Sequence, residues 1–199
     1  MLLRLRLAIG HARRAIWLMA MIYAVSIAAG IAMAHSNNRM ALRFRDTLVR
    51  RANRTDPAAR ADAAGAHARA AALDFSRDLV LVAFPDTVGG LTLILPVALG
   101  AYRGWVGGIV SVDGAHSSRF HNVESASYYV IVVLVQVCGF VLAAAGGIHL
   151  GWATLRRNGP LIGPGWFRIS RSALVDALWL YTLIVPLFAV GSSVEFFWR

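Results

Sequence analysis

The stretch Tyr128-Tyr-Val-Ile-Val-Val-Leu-Val-Gln136-Val-Cys138-Gly-Phe-Val-Leu-Ala143-Ala-Ala-Gly146-Gly147-Ile-His149-Leu-Gly151 decides the fold. It carries no Asp, Glu, Lys or Arg over a length that a helix needs to cross the apolar core of a bilayer, about 20 residues for about 30 Å. Three more stretches read the same way, at 15–34, 79–101 and 173–197. With 58% hydrophobic residues and a mean hydropathy of +0.59, the chain leaves little length for a separate soluble domain. The 199 residues are expected to form one all-α membrane domain, a polytopic helix bundle (79–197) with a first span (15–34) and an extramembrane or interfacial arm (36–78).

The net charge is +10 and rests entirely on Arg, for the chain has no Lys. These arginines flank apolar spans, so anionic lipid headgroups are the expected counter-charge. No basic and aromatic platform accompanies them, which argues against nucleic acid. One cysteine, Cys138, excludes a disulfide within the chain and reads as a small buried apolar residue. Arg4, Arg6, Arg13 and Arg14 precede the first span, and Ala32-Met33-Ala34 imitates a cleavage site at its end. The apolar run is longer than a signal core and reads as an uncleaved helix. Its arginines place the N-terminus on the cytoplasmic side of a bacterial inner membrane.

Residues 36–78 interleave nine Arg and five Asp with Ala. Alanine favours helix, and the break at Thr55-Asp56-Pro57 divides the segment into two partly amphipathic helices. Asp56 is the expected cap of the second, and Pro57 its first residue. The segment reads as an arm on the membrane surface, with docking to a partner as the functional alternative.

Pro85 and Pro96 are expected to kink or interrupt the second span. After it, Gly100, Gly104 and Gly108 repeat at a spacing that opens one helix face to a neighbouring backbone. This short segment, 101–116, is either re-entrant or a crossing. Arg156, Arg157, Arg168 and Arg171 favour a crossing, which puts their loop in the cytoplasm and gives about five transmembrane helices. Asn158-Gly159-Pro160 and Gly163-Pro164-Gly165 read as turns in that loop. Ala143, Gly147 and Gly151 form a second close-packing face.

Ionisable or amide side chains at membrane depth are site candidates because lipid penalises them. They are Asp86, Gln136, Asp176 and Glu195. Gln136 is expected to hydrogen-bond a neighbouring helix, Asp86 and Asp176 to lie near wetted helix ends, and Glu195 to anchor at the interface beside Trp198 and Arg199. His116, His121 and Glu124 offer a weak zinc-like ligand set whose spacing matches no established signature. No GxSxG, HExxH or Walker frame is present, so any ATP use belongs to a partner.

Residues 80–197 resemble the stage II sporulation protein M family of membrane proteins. Tyr102-Arg103-Gly104-Trp105-Val106-Gly107-Gly108 is similar to that family's segment of an aromatic residue, Asn-Gly, an apolar pair and Gly. Val141–Gly151, with Ala-Gly-Gly-x-x-Leu-Gly, is similar to the glycine-rich helix that follows the family's His-Gly-x-x-Glu signature. Ala189–Phe197, with Glu195 and Phe197, is similar to its closing apolar–Glu–x–Phe helix. Arg103 replaces the family's Asn, and Gln136 falls at the signature carboxylate with no His four residues before it. If His121 and Glu124 are the relics instead, about a dozen residues are inserted. The resemblance implies a multi-span protein inside a larger assembly, since the founding member recruits cell-wall hydrolases during engulfment. It supplies no catalytic residue and no cofactor. Its helix pattern also looks like a permease subunit.

Three functions follow as expectations. The leading one is a non-enzymatic membrane subunit that organises other membrane subunits, or copies of itself, through its glycine faces. The second is a permease or transporter component working with a partner ATPase, motivated by proline-broken helices and by Asp86, Gln136 and Asp176. The third is a metal-dependent enzyme built on His116, His121 and Glu124.

Overall fold

The structure is a computed structural model and describes residues 2–156, 160–163 and 168–198. Arg157, Arg199 and the turn residues Asn158, Gly159, Pro164 and Gly165 lie outside the described residues. Among the described residues the fold is helical apart from a two-residue ladder and one isolated bridge between Val112 and Ser118. Helix α1 (Leu2–His35) is followed by α2 (Arg39–Thr55), α3 (Pro57–Ala63) and α4 (His67–Arg77). A π-helical turn (Asp78–Ala83) continues α4 into α5 (Phe84–Gly89), and a 3-10 turn (Gly90–Thr92) leads to α6 (Ile94–Ile109). A 3-10 turn at Arg119–His121 precedes α7 (Val123–Leu155). The strands β1 (Leu161–Ile162) and β2 (Ile169–Ser170), unforeseen in the sequence, pair antiparallel before α8 (Arg171–Phe197). Among the described residues three helices, α1, α7 and α8, are long and apolar enough to cross a membrane.

Helix α1 begins well before the expected residue 15, because nothing in Leu2–Arg14 breaks a helix. It ends where Asn37 turns left-handed (φ 55°), and Asn38 Oδ1 caps α2 by accepting the Met40 and Ala41 amides at 3.0 and 3.2 Å. Asp56 caps α3 from the Ala58 amide at 2.9 Å, with Pro57 first in the helix, as the sequence led us to expect. The arm differs in having a third helix. Gly65 (φ 76°) separates α3 from α4, a conformation that costs a residue without Cβ little. α4 is no free arm, since its Ala70 and Ala71 cluster with Phe196 of α8.

The span expected over 79–101 does not exist as one helix. Its break falls at Gly90–Leu93, where Leu93 adopts φ 60°. Pro85 does not cause it: a proline clashes with the carbonyl four residues back, and the π-helical turn just before Pro85 widens the backbone there. Pro96 sits in the first turn of α6, where no amide donor is needed.

The two glycine faces set the helix order, and both are spent inside this chain. Gly100 and Gly104 face Met19, Tyr23 and Ser26 of α1, and Gly108 lies against Gly30 and the Ile27 carbonyl, so α1 and α6 run parallel. A Cβ at Gly104 would stand 2.9 Å from that of Ser26. On α7, Ala143 is fully buried, a Cβ at Gly147 would stand 2.6 Å from the Asp86 carbonyl oxygen, and Gly151 lies on the Gly90 carbonyl. α5 and α7 therefore run parallel with backbones nearly touching. α8 returns antiparallel to α7, Phe188 against Gly139 and Gly191 against Gln136.

Candidate functional site

The order of helices places three polar groups. One is an ion pair. Asp86 on α5, 1% exposed, bonds Arg103 on α6. This corrects the expectation of Asp86 at a wetted helix end. α5 and α6 are joined by a tight turn, which sets the acid on one helix across from the base on the other. Between residues 79 and 112 these two are the only charged side chains, so each is the other's nearby counter-charge. The Arg103 guanidinium also lies over the Phe140 ring, 5.6 Å from its centre. Among the described residues, Asp86 Oδ1 and the Tyr23 hydroxyl are buried with no hydrogen-bond partner.

The second group lies where α4, the π-helical turn, α6, α7 and α8 meet. Arg77 bonds Asp74, Asp56 at 2.5 Å and Asp78 at 3.2 Å, so one guanidinium serves three carboxylates. Asp74 Oδ2 also accepts from Ser192 of α8 at 2.8 Å. Gln136 Nε2 of α7 donates to Glu195 Oε2 of α8 at 2.8 Å. That is the interhelix bond expected of Gln136, and it corrects the expectation of Glu195 as a simple interface anchor. The Tyr128 hydroxyl donates to the Glu195 carbonyl at 2.8 Å, and that of Tyr129 to the Gly107 carbonyl at 2.8 Å, pinning α7 to α8 and α6.

These groups share a cavity of about 710 Å³. Arg77, Asp78, Arg103, Arg119, Gln136 and Glu195 all reach its wall, beside the aromatic rings of Tyr128 and Phe140. Arg77 keeps 40% of its side chain exposed. Charged, amide and aromatic side chains from five elements thus meet at one cavity.

The third group is at the opposite end of the bundle. Asp176 on α8 bonds His11 Nδ1 of α1 at 2.8 Å and His149 Nε2 of α7 at 3.3 Å. The two rings stack with centres 6.3 Å apart. Asp176 is thus a clasp between three helices and does not join Asp86 and Gln136. His11 carried no signal in the sequence, because a lone histidine among arginines is indistinguishable from any other interfacial residue.

The weak metal set is not assembled. His116 (φ 62°) bonds Asp46 of α2 at 3.0 Å, His121 sits in the 3-10 turn and Glu124 in the first turn of α7. Among the described residues no group of three His, Cys, Asp or Glu side chains is placed to hold a metal ion. Outside the spans, the Asp46 carboxyl is held below the usual carboxylate range by the Arg45 hydrogen bond, with His116 adding to it. Amides of Ser117 and Ala115 lower Asp113 in the same way. Cys138 is exposed on α7, where a buried position was expected.

Fold and site together define a class: a helical membrane-type bundle with a charged cavity and a buried ion pair. No family model, no curated protein and no solved structure matches the chain.

Proposed function

We propose that the chain is a permease-type subunit of a bacterial inner-membrane complex, one that takes a polar solute into the cavity between α4, α6, α7 and α8. The observation that carries this reading is the convergence of Arg77, Asp78, Arg103, Gln136 and Glu195 on one cavity in an otherwise apolar bundle. Charged groups are retained against a lipid background where they serve a path or a site. A helix broken at Gly90–Leu93 and lined against protein fits the architecture of membrane solute sites. The role of organising subunit loses its first support, because Gly100, Gly104, Gly108, Ala143, Gly147 and Gly151 pack within the chain. What favours it is the outward face of α1, where Trp17, Leu18, Met21 and Val25 are exposed.

Five passes follow from this reading, with α5 and α6 as the second and third. The N-terminus is assigned to the cytoplasm because Arg4, Arg6, Arg13 and Arg14 adjoin the first span and Arg171 lies at the same end. Kinship with the stage II sporulation protein M family is part of the same proposal. It rests on the glycine helices and on Gln136 and Glu195, which occupy the family-like positions and meet at one bond.

Cysteines test the reading. In a Cys138→Ser background, Val106→Cys and Val133→Cys line the cavity and should react with a charged, water-soluble maleimide in membranes. Reaction with lipid-soluble reagents alone would mean a dry interior and would end the solute reading.

A further inference from the structure

Among the described residues, two of the three guanidinium groups at the cavity, Arg77 and Arg103, bond four carboxyls, Asp56, Asp74, Asp78 and Asp86, the third, Arg119, bonds none, and Glu195 is bonded by no guanidinium. From α4 Arg77 lines the wall, from the π-helical turn Asp78, from α6 Tyr102 and Arg103, from the 3-10 turn Arg119, and from α7 Tyr128, Tyr129 and Gln136, while Asp74 is buried behind Arg77. Arg103 is taken by Asp86. Arg77 is shared by Asp56, Asp74 and Asp78. Asp56 is further satisfied by the Ala58 amide, and Asp74 by Ser192. Glu195 has the poorest company, for its carboxyl accepts one neutral amide bond, from Gln136, and no guanidinium bonds it among the described residues. The Tyr128 bond goes to its backbone carbonyl.

A carboxylate in an apolar bundle without a cation beside it is costly, and it is made worse by anionic neighbours. The cheapest neutralisation is a proton, and the group with the fewest donors takes it first. We propose that Glu195 is a proton-binding site of the cavity, neutral in the resting protein, whose proton passes to water or solute in the cavity when Glu195 ionises. The proposal rests on the reading of the cavity as a solute site and adds a proton to what it binds. The Gln136 amide then has a double part: it holds the carboxyl toward the cavity and stabilises the anion left after release.

Infrared difference spectra of the protein in nanodiscs read this directly. At neutral pH the wild type should show a protonated carboxyl band that disappears on titration to alkaline pH and is missing in Glu195→Gln. Gln136→Leu should move that titration upward, since it removes the donor to the anion. In membranes dicyclohexylcarbodiimide, which adds to protonated carboxyls, should leave an adduct mapped to Glu195 that is lost in Glu195→Gln and retained in Asp78→Asn. A band that survives Glu195→Gln, or one that disappears in Asp78→Asn instead, overturns the assignment. A Glu195 adduct with cavity cysteines inaccessible to water would leave the proton site standing and remove the solute reading.

Discussion

At the scale of single residues, the Arg103–Asp86 pair dominates. Its members come from different helices and Asp86 is wholly enclosed, so removing one leaves a buried charge uncompensated, a loss of about 3–5 kcal/mol. Arg103→Leu should therefore lower the thermal unfolding midpoint in detergent sharply, and the double variant Arg103→Leu/Asp86→Leu should recover most of it. A double variant as unstable as the single would mean that the pair is not the source. Tyr23→Phe makes the opposite forecast. The Tyr23 hydroxyl is buried near the Arg103 guanidinium but meets no hydrogen-bond partner at bonding geometry among the described residues, so its removal should leave the midpoint unchanged or raise it. A clear drop would reveal a bond that the geometry does not contain. The pair was legible in principle, since one acid and one base in two adjacent apolar segments must find each other. What the sequence could not supply was the sharp turn at Gly90–Leu93 that sets them face to face.

At the scale of elements, backbone contact governs. Gly147→Leu forces a side chain into the Asp86 and Thr87 backbone, which costs roughly 1–3 kcal/mol or more because backbone cannot step aside. The loss should appear in the isolated chain, as a reduced yield of folded monomer in detergent. Gly10→Leu on α1, where a Cβ would meet nothing within 4 Å, should fold as the wild type does. A failure of Gly147→Leu confined to complex assembly would return the glycine face to a partner. Helix spacing made both glycine faces visible from the sequence, but a small-residue stripe looks the same whether its neighbour belongs to the chain or to another molecule. The arm has its own pH dependence. Asp46 has a lowered carboxyl pKa in the fold, so its contribution to docking the 111–118 loop is present above the ordinary carboxylate range. It is lost as pH falls through the lowered value. Hydrogen exchange in that loop, corrected for intrinsic rates, should rise only on strong acidification, and should rise at neutral pH in Asp46→Asn.

At the scale of the whole molecule, the five passes we propose would place the two ends of the chain on opposite faces. Single cysteines in a Cys138→Ser background read this out: Leu2→Cys and Thr92→Cys should label from one side of intact vesicles, Gly114→Cys and Trp198→Cys from the other. Labelling of positions 2 and 198 from the same face would remove the odd number of passes. Three elements were plain in the sequence, because α1, α7 and α8 are apolar over a length sufficient to cross a bilayer, and a span through lipid must satisfy its own backbone, as a helix does. The Asp56-Pro57 cap was equally plain, being a bond within three residues. Composition and local chemistry determined that much: that these segments are helices, and that they are apolar enough to cross a membrane. Tertiary structure alone decided that the helix breaks at Gly90 rather than at either proline, and that Asp86 meets Arg103. It also decided that Glu195 turns from the interface to Gln136, and that Asp176 joins two histidines at the far end. Each of these depends on which helix lies beside which, a matter of packing between segments distant in the chain, on which the residues of any one segment are silent.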